Sequence, residues 1–189
     1  SYSNKVFHFT ARDGKIHAVG GAAGNVSADA YVLAAGSYAE RFMRKLRQRL
    51  PIYPLKAYSL TVPIVDDGAA PVSTVIDEAR KVSITRIGDR IRVGGAMEMA
   101  GFDVTLNEAR RAVLESLLDE FFPGAGDLRA AQFWCGLGAM TPDGPPIVGR
   151  TRIPNLYINT GHGMLGWTMA CGSGKIVADM ISGREPEID

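Results

Sequence analysis

The sequence predicts an α/β fold combined with α+β character: parts of one α/β domain at both ends, and a mixed or antiparallel β-sheet domain inserted between them. A segment at 28–36 that ends in a near-continuous apolar run, and a strand at 156–160, each lead through a glycine-bearing turn into a helical pattern. The run in the first suits a strand covered on both faces. Residues 52–137 instead alternate and turn in the manner of an antiparallel block. Neither flank completes a βαβ unit by itself, so the two are expected to meet as one layer. The expected domains are 1–51, 52–137 and 138–189.

Residues 6–19 alternate around Asp13-Gly14, a two-residue hairpin signal. After the strand ending near Gly36, Ser37 with Glu40 three residues on forms a capping box. The helix it opens has an apolar face of Phe42, Met43, Leu46 and Leu50, and Pro51 is expected to stop it. Strands are expected at 53–65 and 72–76, with a hairpin at 82–93 turning on Gly88-Asp89. Thr105 and Glu108 make a second capping box, opening a helix whose face is Ala109, Val113, Leu117 and Phe121. A strand over 130–137, the Pro- and Gly-rich loop 141–146, a strand over 156–160 and a helix over 167–182 closed by Gly183 complete the chain.

The 189 residues are 46% hydrophobic and 22% charged, with a formal net charge of +1. That excludes a disordered chain and argues against nucleic acid, which demands a basic face. No apolar run approaches the roughly 20 residues of a membrane span, and the opening SYSNKVFHF has no signal-peptide pattern. Cys135 and Cys171 read as reduced thiols of a cytoplasmic protein. Metal binding is not expected, because His8 and His17 lie far along the chain from His162. Arg41, Arg44, Lys45, Arg47 and Arg49 give one helix a basic face, read as solvated or as a peripheral contact with an anionic inner membrane surface. The chain opens on Ser1 rather than methionine, which suggests part of something longer.

Gly161-His162-Gly163-Met164-Leu165-Gly166 follows a strand and opens a helix, matching G-x-G-x-x-G. The pyrophosphate reading fails, because no second strand follows and the carboxylate roughly 20 residues on, Asp179, lies inside the helix. What remains is a backbone that a flat ligand could approach, at a helix start with free N–H groups. Such a site suits a ring that gains electron density on reduction, such as a flavin at its N1–C2=O edge. The competing reading is a glycine-rich turn that packs a helix against its own strand. Gly172 and Gly174 cost the helix roughly 1 kcal/mol each against alanine, a cost consistent with close packing against another backbone or a cofactor.

The stretch 159–163 continuing to Gly172-Ser173-Gly174 resembles the C-terminal flavin motif of the FAD-dependent D-amino acid oxidase/dehydrogenase-like family. Three further segments are similar to it in family order: ADAYVLAAGSY at 28–38, PLKAYS at 54–59 and MTPDGPPIVG at 140–149. The resemblance implies a strand-and-turn on the adenosine side near Gly36 and Ser37. It implies a flavin ring lined by Gly161, His162, Gly163, Leu165, Gly166 and Thr168. Tyr53, Tyr58 and Arg86 are candidates for the substrate face, and no obligate base is named.

The family's N-terminal βαβ unit, which holds the FAD pyrophosphate, has no counterpart here, so the isolated chain is expected to be inactive and to hold FAD weakly or not at all. Where the family reads Gly-Leu-Arg-Pro-Met, this sequence has Gly136-Leu137-Gly138-Ala139-Met140, so the arginine that forks onto the substrate carboxylate is absent. The implied parent oxidises D-amino acids such as D-alanine to 2-oxo acids and ammonia, passing electrons to a quinone-type acceptor. Two other readings stand beside it: a glycine- or sarcosine-type oxidase of the same superfamily, and a non-catalytic binding domain without flavin.

Overall fold

The computed structural model describes residues 5–188; the opening residues, read as running into the first strand, lie outside the described ones. The chain divides into two compact units, Ser1–Tyr53 with Gly138–Asp189, and Pro54–Leu137. The α/β and antiparallel β characters expected from sequence are both present.

In the first unit, β1 (Val6–Arg12) and β2 (Lys15–Gly21) form a hairpin extended by β3 (Gly24–Val26). Asp13 and Gly14 both take positive φ, as a type I′ turn requires. The second sheet runs β10 (Ile147–Arg150), β11 (Leu156–Thr160), β4 (Tyr31–Leu33). β11 and β4 are parallel, pairing Leu156 with Tyr31 and Ile158 with Leu33. The two distant flanks therefore do share a layer. Asn155 ties the hairpin to this layer, accepting from the Ile16 N–H at 2.9 Å and donating to the Ile16 carbonyl at 2.7 Å. One face of the layer packs Leu156, Ile158, Tyr31 and Leu33 against Ala39 and Met43 of α1 (Ala39–Lys45). The other face carries α3 (Gly166–Ile181) over β10 and β11.

The second unit is a five-stranded sheet in the order β6 (Val75–Asp77), β7 (Val82–Ile87), β8 (Arg90–Glu98), β5 (Tyr53–Pro63), β9 (Gln132–Met140). One sheet face (Tyr58, Leu60, Val62, Val82, Ile84, Ile91, Val93) is buried against Leu114, Leu117 and Leu118 of α2 (Glu108–Phe121).

Several local expectations are corrected. Ser37 does not cap α1: a 3₁₀ turn occupies Gly36–Tyr38, and the helix begins at Ala39 without a side-chain cap. Nor does α1 reach Pro51. Arg47 takes φ +56° and its N–H bonds the Arg44 carbonyl, while the Gln48 N–H bonds that of Met43. That is a Schellman stop built on an arginine. The second capping box is also absent, because Asn107 caps α2 by accepting from the Ala109 N–H at 3.0 Å. α2 buries Leu114, Leu117 and Leu118, so of the expected face only Leu117 is buried, while Val113 and Phe121 are exposed. The strand expected at 72–76 shrinks to β6, with Val72 exposed, and that expected at 28–36 shrinks to β4. β3 and β10 were not foreseen.

Candidate functional site

β4 and β11 run side by side and end together, and each passes through a 3₁₀ turn into a helix: Gly36–Tyr38 before α1, and Gly163–Leu165 before α3. The Thr160 hydroxyl donates to the Gly36 carbonyl at 3.0 Å, locking the two turns to each other. The carboxyl ends of parallel strands are where open α/β sheets hold ligands. The structure thus brings Gly36 and Ser37 beside the 161–168 segment, although more than a hundred residues separate them in the chain.

Gly161 and Gly163 take φ +80° and +54°, which only glycine adopts without strain. They also have local reasons to lack a side chain. A Cβ on Gly161 would stand 2.9 Å from Thr141 Cγ2, and one on Gly163 2.7 Å from Met140 Sδ. These two glycines seat the turn against the 140–147 loop, where the Thr141 hydroxyl donates to the Pro145 carbonyl. Met140 pairs with His162 through an isolated β-bridge. This is the packing role set out above as the competing reading. Gly166 lies in ordinary contact, its Cβ position 3.6 Å from His162 Cβ.

The end of α3 is nevertheless open. Leu165 at its N-cap makes no side-chain cap bond, so the N–H groups of Gly166, Trp167 and Thr168 have no side-chain acceptor there. Met164, Leu165 and Thr168 are exposed, and Trp167 is 96% exposed. Beside this end two buried polar atoms lack partners, Asn159 Oδ1 and His162 Nε2. Buried polar atoms are rarely left so. An uncapped helix start with an orphaned amide oxygen and imidazole nitrogen fits a planar ligand that carries both donors and acceptors along one edge. Asn159 was not singled out from sequence as a site residue; the clue was a polar side chain inside the apolar run Leu156–Thr160.

The proposed substrate residues are placed differently. Tyr53 is exposed at the end of the first unit's amino-terminal segment. Tyr58, in the second unit, is 2% exposed, with its ring stacked on Phe133 at 5.4 Å and its hydroxyl donating to Glu98 at 2.7 Å. Arg86 is bound within its own hairpin region, to Asp67 and to the Gly88 carbonyl. Around Tyr58 lies a cluster that sequence reasoning missed. Lys56, 1% exposed, donates to the Thr105 carbonyl and pairs with Glu98 at 3.1 Å and Asp103 at 3.7 Å, while Arg110 reaches Glu98 at 3.2 Å. A bulge makes this possible: Tyr58 pairs with Gly95 but Lys56 with Glu98, with Ala96 at φ +50° taking up the extra residue. Hydrogen bonds from Tyr58 and then Lys56 hold the Glu98 carboxyl down to about 2. Lys56 is raised, chiefly by Tyr58 and also by Glu98, against desolvation.

Among the described residues no His, Cys, Asp and Glu group is arranged to hold a metal ion, and both cysteines are free. Among the described residues no helix is long and apolar enough to cross a membrane. Part of the basic face of α1 is engaged locally, with Arg41 over Tyr38, Arg44 near Glu40 and Lys45 over Phe42.

Two strand-turn-helix units meeting at their carboxyl ends, with an inserted antiparallel sheet, define a class that the comparisons make specific. Residues 2–180 match the FAD dependent oxidoreductase family, and the chain belongs to it. It is 60% identical over 163 residues to D-amino acid dehydrogenase 1 of Mesorhizobium japonicum, covering 86% of this chain and 39% of that protein. It is 53% identical over 188 residues to D-amino acid dehydrogenase of Granulibacter bethesdensis, covering 100% of this chain and 45% of that one. The chain thus spans less than half the length of these relatives. Among solved structures, iminodiacetate oxidase from Chelativorans sp. superposes with TM-score 0.85 at 24% identity, covering 98% of this chain and 51% of that one. Glycine oxidase from Bacillus cereus superposes with TM-score 0.83 at 24% identity, covering 98% of this chain and 52% of that one. At that identity these two establish the fold.

Proposed function

We propose that this chain is the flavin-edge and substrate-side portion of a cytoplasmic enzyme that oxidises D-amino acids such as D-alanine, with FAD as cofactor and a quinone-type acceptor for the electrons. The observation that carries the reading is the open, uncapped start of α3, set beside the turn after β4 and flanked by the orphaned Asn159 and His162 atoms. The kinship with D-amino acid dehydrogenases supports the substrate class.

When bound, FAD supplies two-electron oxidation of the amino acid Cα–N bond, and the imino acid hydrolyses in water to a 2-oxo acid and ammonia. The protein supplies the setting. The N–H groups of Gly166, Trp167 and Thr168 offer partial positive charge to a ring edge that becomes negative on reduction. Asn159 Oδ1 can accept from a ring N–H, while His162 Nε2 donates or accepts according to its tautomer. Met164 and Leu165, exposed beside that end, are available to screen it from water once a ring is bound. Gly36 and Ser37 are assigned to the adenosine side. On the substrate side Tyr53 offers an exposed ring, whereas Tyr58 and Arg86 have their polar groups engaged within the second unit. Gly138 leaves the substrate carboxylate without the family's arginine in β9. Contact of the 41–49 segment with an anionic membrane face is proposed on charge alone.

The test is gel filtration with FAD, of the chain alone and together with the amino-terminal part of the Mesorhizobium relative. Alone, no flavin absorbance co-elutes; together, a flavin band co-elutes and bleaches with D-alanine. A stoichiometric band on the chain alone, or a bound flavin that D-alanine never bleaches, overturns the reading.

A further inference from the structure

The five-stranded sheet of the second unit packs one face on α2, and no helix of that unit lies over the other. The register fixes what lines this open face. Ser83, Gly94 and Ser59 form one row across β7, β8 and β5, and Thr85, Arg92 and Thr61 form the next row on the same side. Ile84, Val93 and Leu60 between them belong to the core. In β9 the same alternation directs Phe133 and Cys135 to the core and turns Gly136, then Gly138, to the open face. That strand therefore adds no cation there.

Arg92 differs from every other cation of the unit. Each of the other arginines pairs with an acidic side chain, among them Arg80 with Glu120 at 3.0 Å and Arg111 with Glu115 at 2.8 Å, and so do both lysines. Arg92 has no carboxylate partner among the described residues. Its guanidinium donates instead to the Ser59 hydroxyl at 3.1 Å, and Ser59 is 5% exposed. That bond uses one arm of the planar fork and holds it against the sheet, while its other N–H donors have no acceptor among the described residues. The row neighbours Thr61 and Thr85 carry no charge, and Gly94 leaves the floor beside the fork low. A fixed fork with unused donors, beside hydroxyls and glycine, suits a carboxylate.

We infer that Arg92 binds the carboxylate of the amino acid substrate, the group that Gly138 in β9 cannot hold. Ser59 is a positioning residue that fixes the guanidinium. The inference rests on the amino acid oxidation proposed above and deepens it: the enzyme selects amines that carry an acid group and discriminates against amino acid amides. Arg86 and Tyr58 do not compete for this role, because their polar groups are engaged with Asp67 and Glu98.

The experiment has two arms. In the first, the ¹⁵N-labelled 189-residue chain without FAD is titrated with propionate, which has a carboxylate but no amine to oxidise, and with uncharged propionamide. Propionate shifts the Arg92 Nε–H signal and the amides of Ser59 and Gly94 together and saturably, and propionamide leaves them still. Arg92 is exposed, so Arg92→Met keeps the fold, and it abolishes the response. Arg92→Lys retains a weakened response, having the charge without the fork. Arg129→Met, at a residue already paired with Asp127, changes nothing. In the second arm, the FAD-loaded assembly with the amino-terminal part of the Mesorhizobium relative is bleached by D-alanine. There Arg92→Met raises the half-saturating D-alanine concentration about thirtyfold or more. The limiting bleaching rate and the bound flavin stay within about threefold. No response to propionate, an equal response to propionamide, a silent Arg92→Met, or a loss confined to the limiting rate each overturns the inference. An assembly that never bleaches contradicts the proposed function instead, and the propionate arm still decides the role of Arg92.

Discussion

Among the described residues, the buried side-chain polar atoms left without a partner all lie in the first unit. In the second, Lys56 is enclosed yet meets Thr105, Glu98 and Asp103, while Tyr58 and Arg110 complete the coordination of Glu98. Beneath the sheet, Leu60, Val62, Ile91, Val93 and Leu114 are wholly buried. In the first, Asn159 Oδ1 and His162 Nε2 are buried without partners, Val32 and Trp167 are bare, and a helix start has no cap. Burial with satisfied partners marks structure. Burial without them, next to exposed apolar surface, marks a place completed by something else.

The contrast can be sharpened by substitution. The largest effect is expected at the core: Leu114→Ala lowers unfolding free energy by about 2–5 kcal/mol, measured by urea denaturation. Val113→Ala, at the position the periodicity wrongly buries, costs under about 1 kcal/mol. Equal losses at both positions would contradict the burial of Leu114 and the exposure of Val113.

Acid comes next. Glu98 is depressed from 4.5 to about 2 in the folded state, so its stabilisation is complete above about 4.5 and is lost as pH falls through that window. Stability should therefore decline between these values, and Glu98→Gln should lower the urea midpoint at neutral pH while flattening the decline. An unchanged slope in the variant would show that other carboxylates carry the acid response.

Asn107→Ala should cost about 1 kcal/mol through loss of the α2 cap, whereas Thr105→Ala, at the position read from sequence as the cap, should cost less. The smallest effect belongs to Trp167→Ser, within about 0.5 kcal/mol for the chain alone, because the ring touches solvent on nearly all sides. A large loss there would mean that the first unit already uses this side chain.

What was legible in the sequence follows the same division. β11 was read to the residue, because the short apolar run Leu156-Tyr157-Ile158, continued by Asn159-Thr160 and ended by Gly161, has few alternatives. The Schellman stop of α3 was announced by Gly183, at φ +70°. The same motif ends α1 on Arg47, and with no glycine to mark it the helix was extended to Pro51. β4 and β11 were expected in one layer because neither flank completes a βαβ unit by itself, yet the hydroxyl bond that joins their turns lies between Thr160 and Gly36, a contact no local pattern encodes. The Lys56 cluster was invisible for another reason: it depends on a bulge at Ala96, a residue with no preference for positive φ. Of the site, the turn at 161–166 was legible. Its glycines proved to seat the 140–147 loop, and the stronger signal for a ligand lay in the uncapped helix and the two orphaned atoms beside it.

The central claim is that the start of α3 faces the flavin. It is tested most directly by following the ¹⁵N-labelled amides of Gly166, Trp167 and Thr168 in the FAD-loaded assembly of this chain with its complementing segment, before and after reduction by D-alanine. The account predicts that these amides shift most on reduction, with Asn159 and His162 close behind. Bound flavin that reduces while all five signals stay still would contradict it.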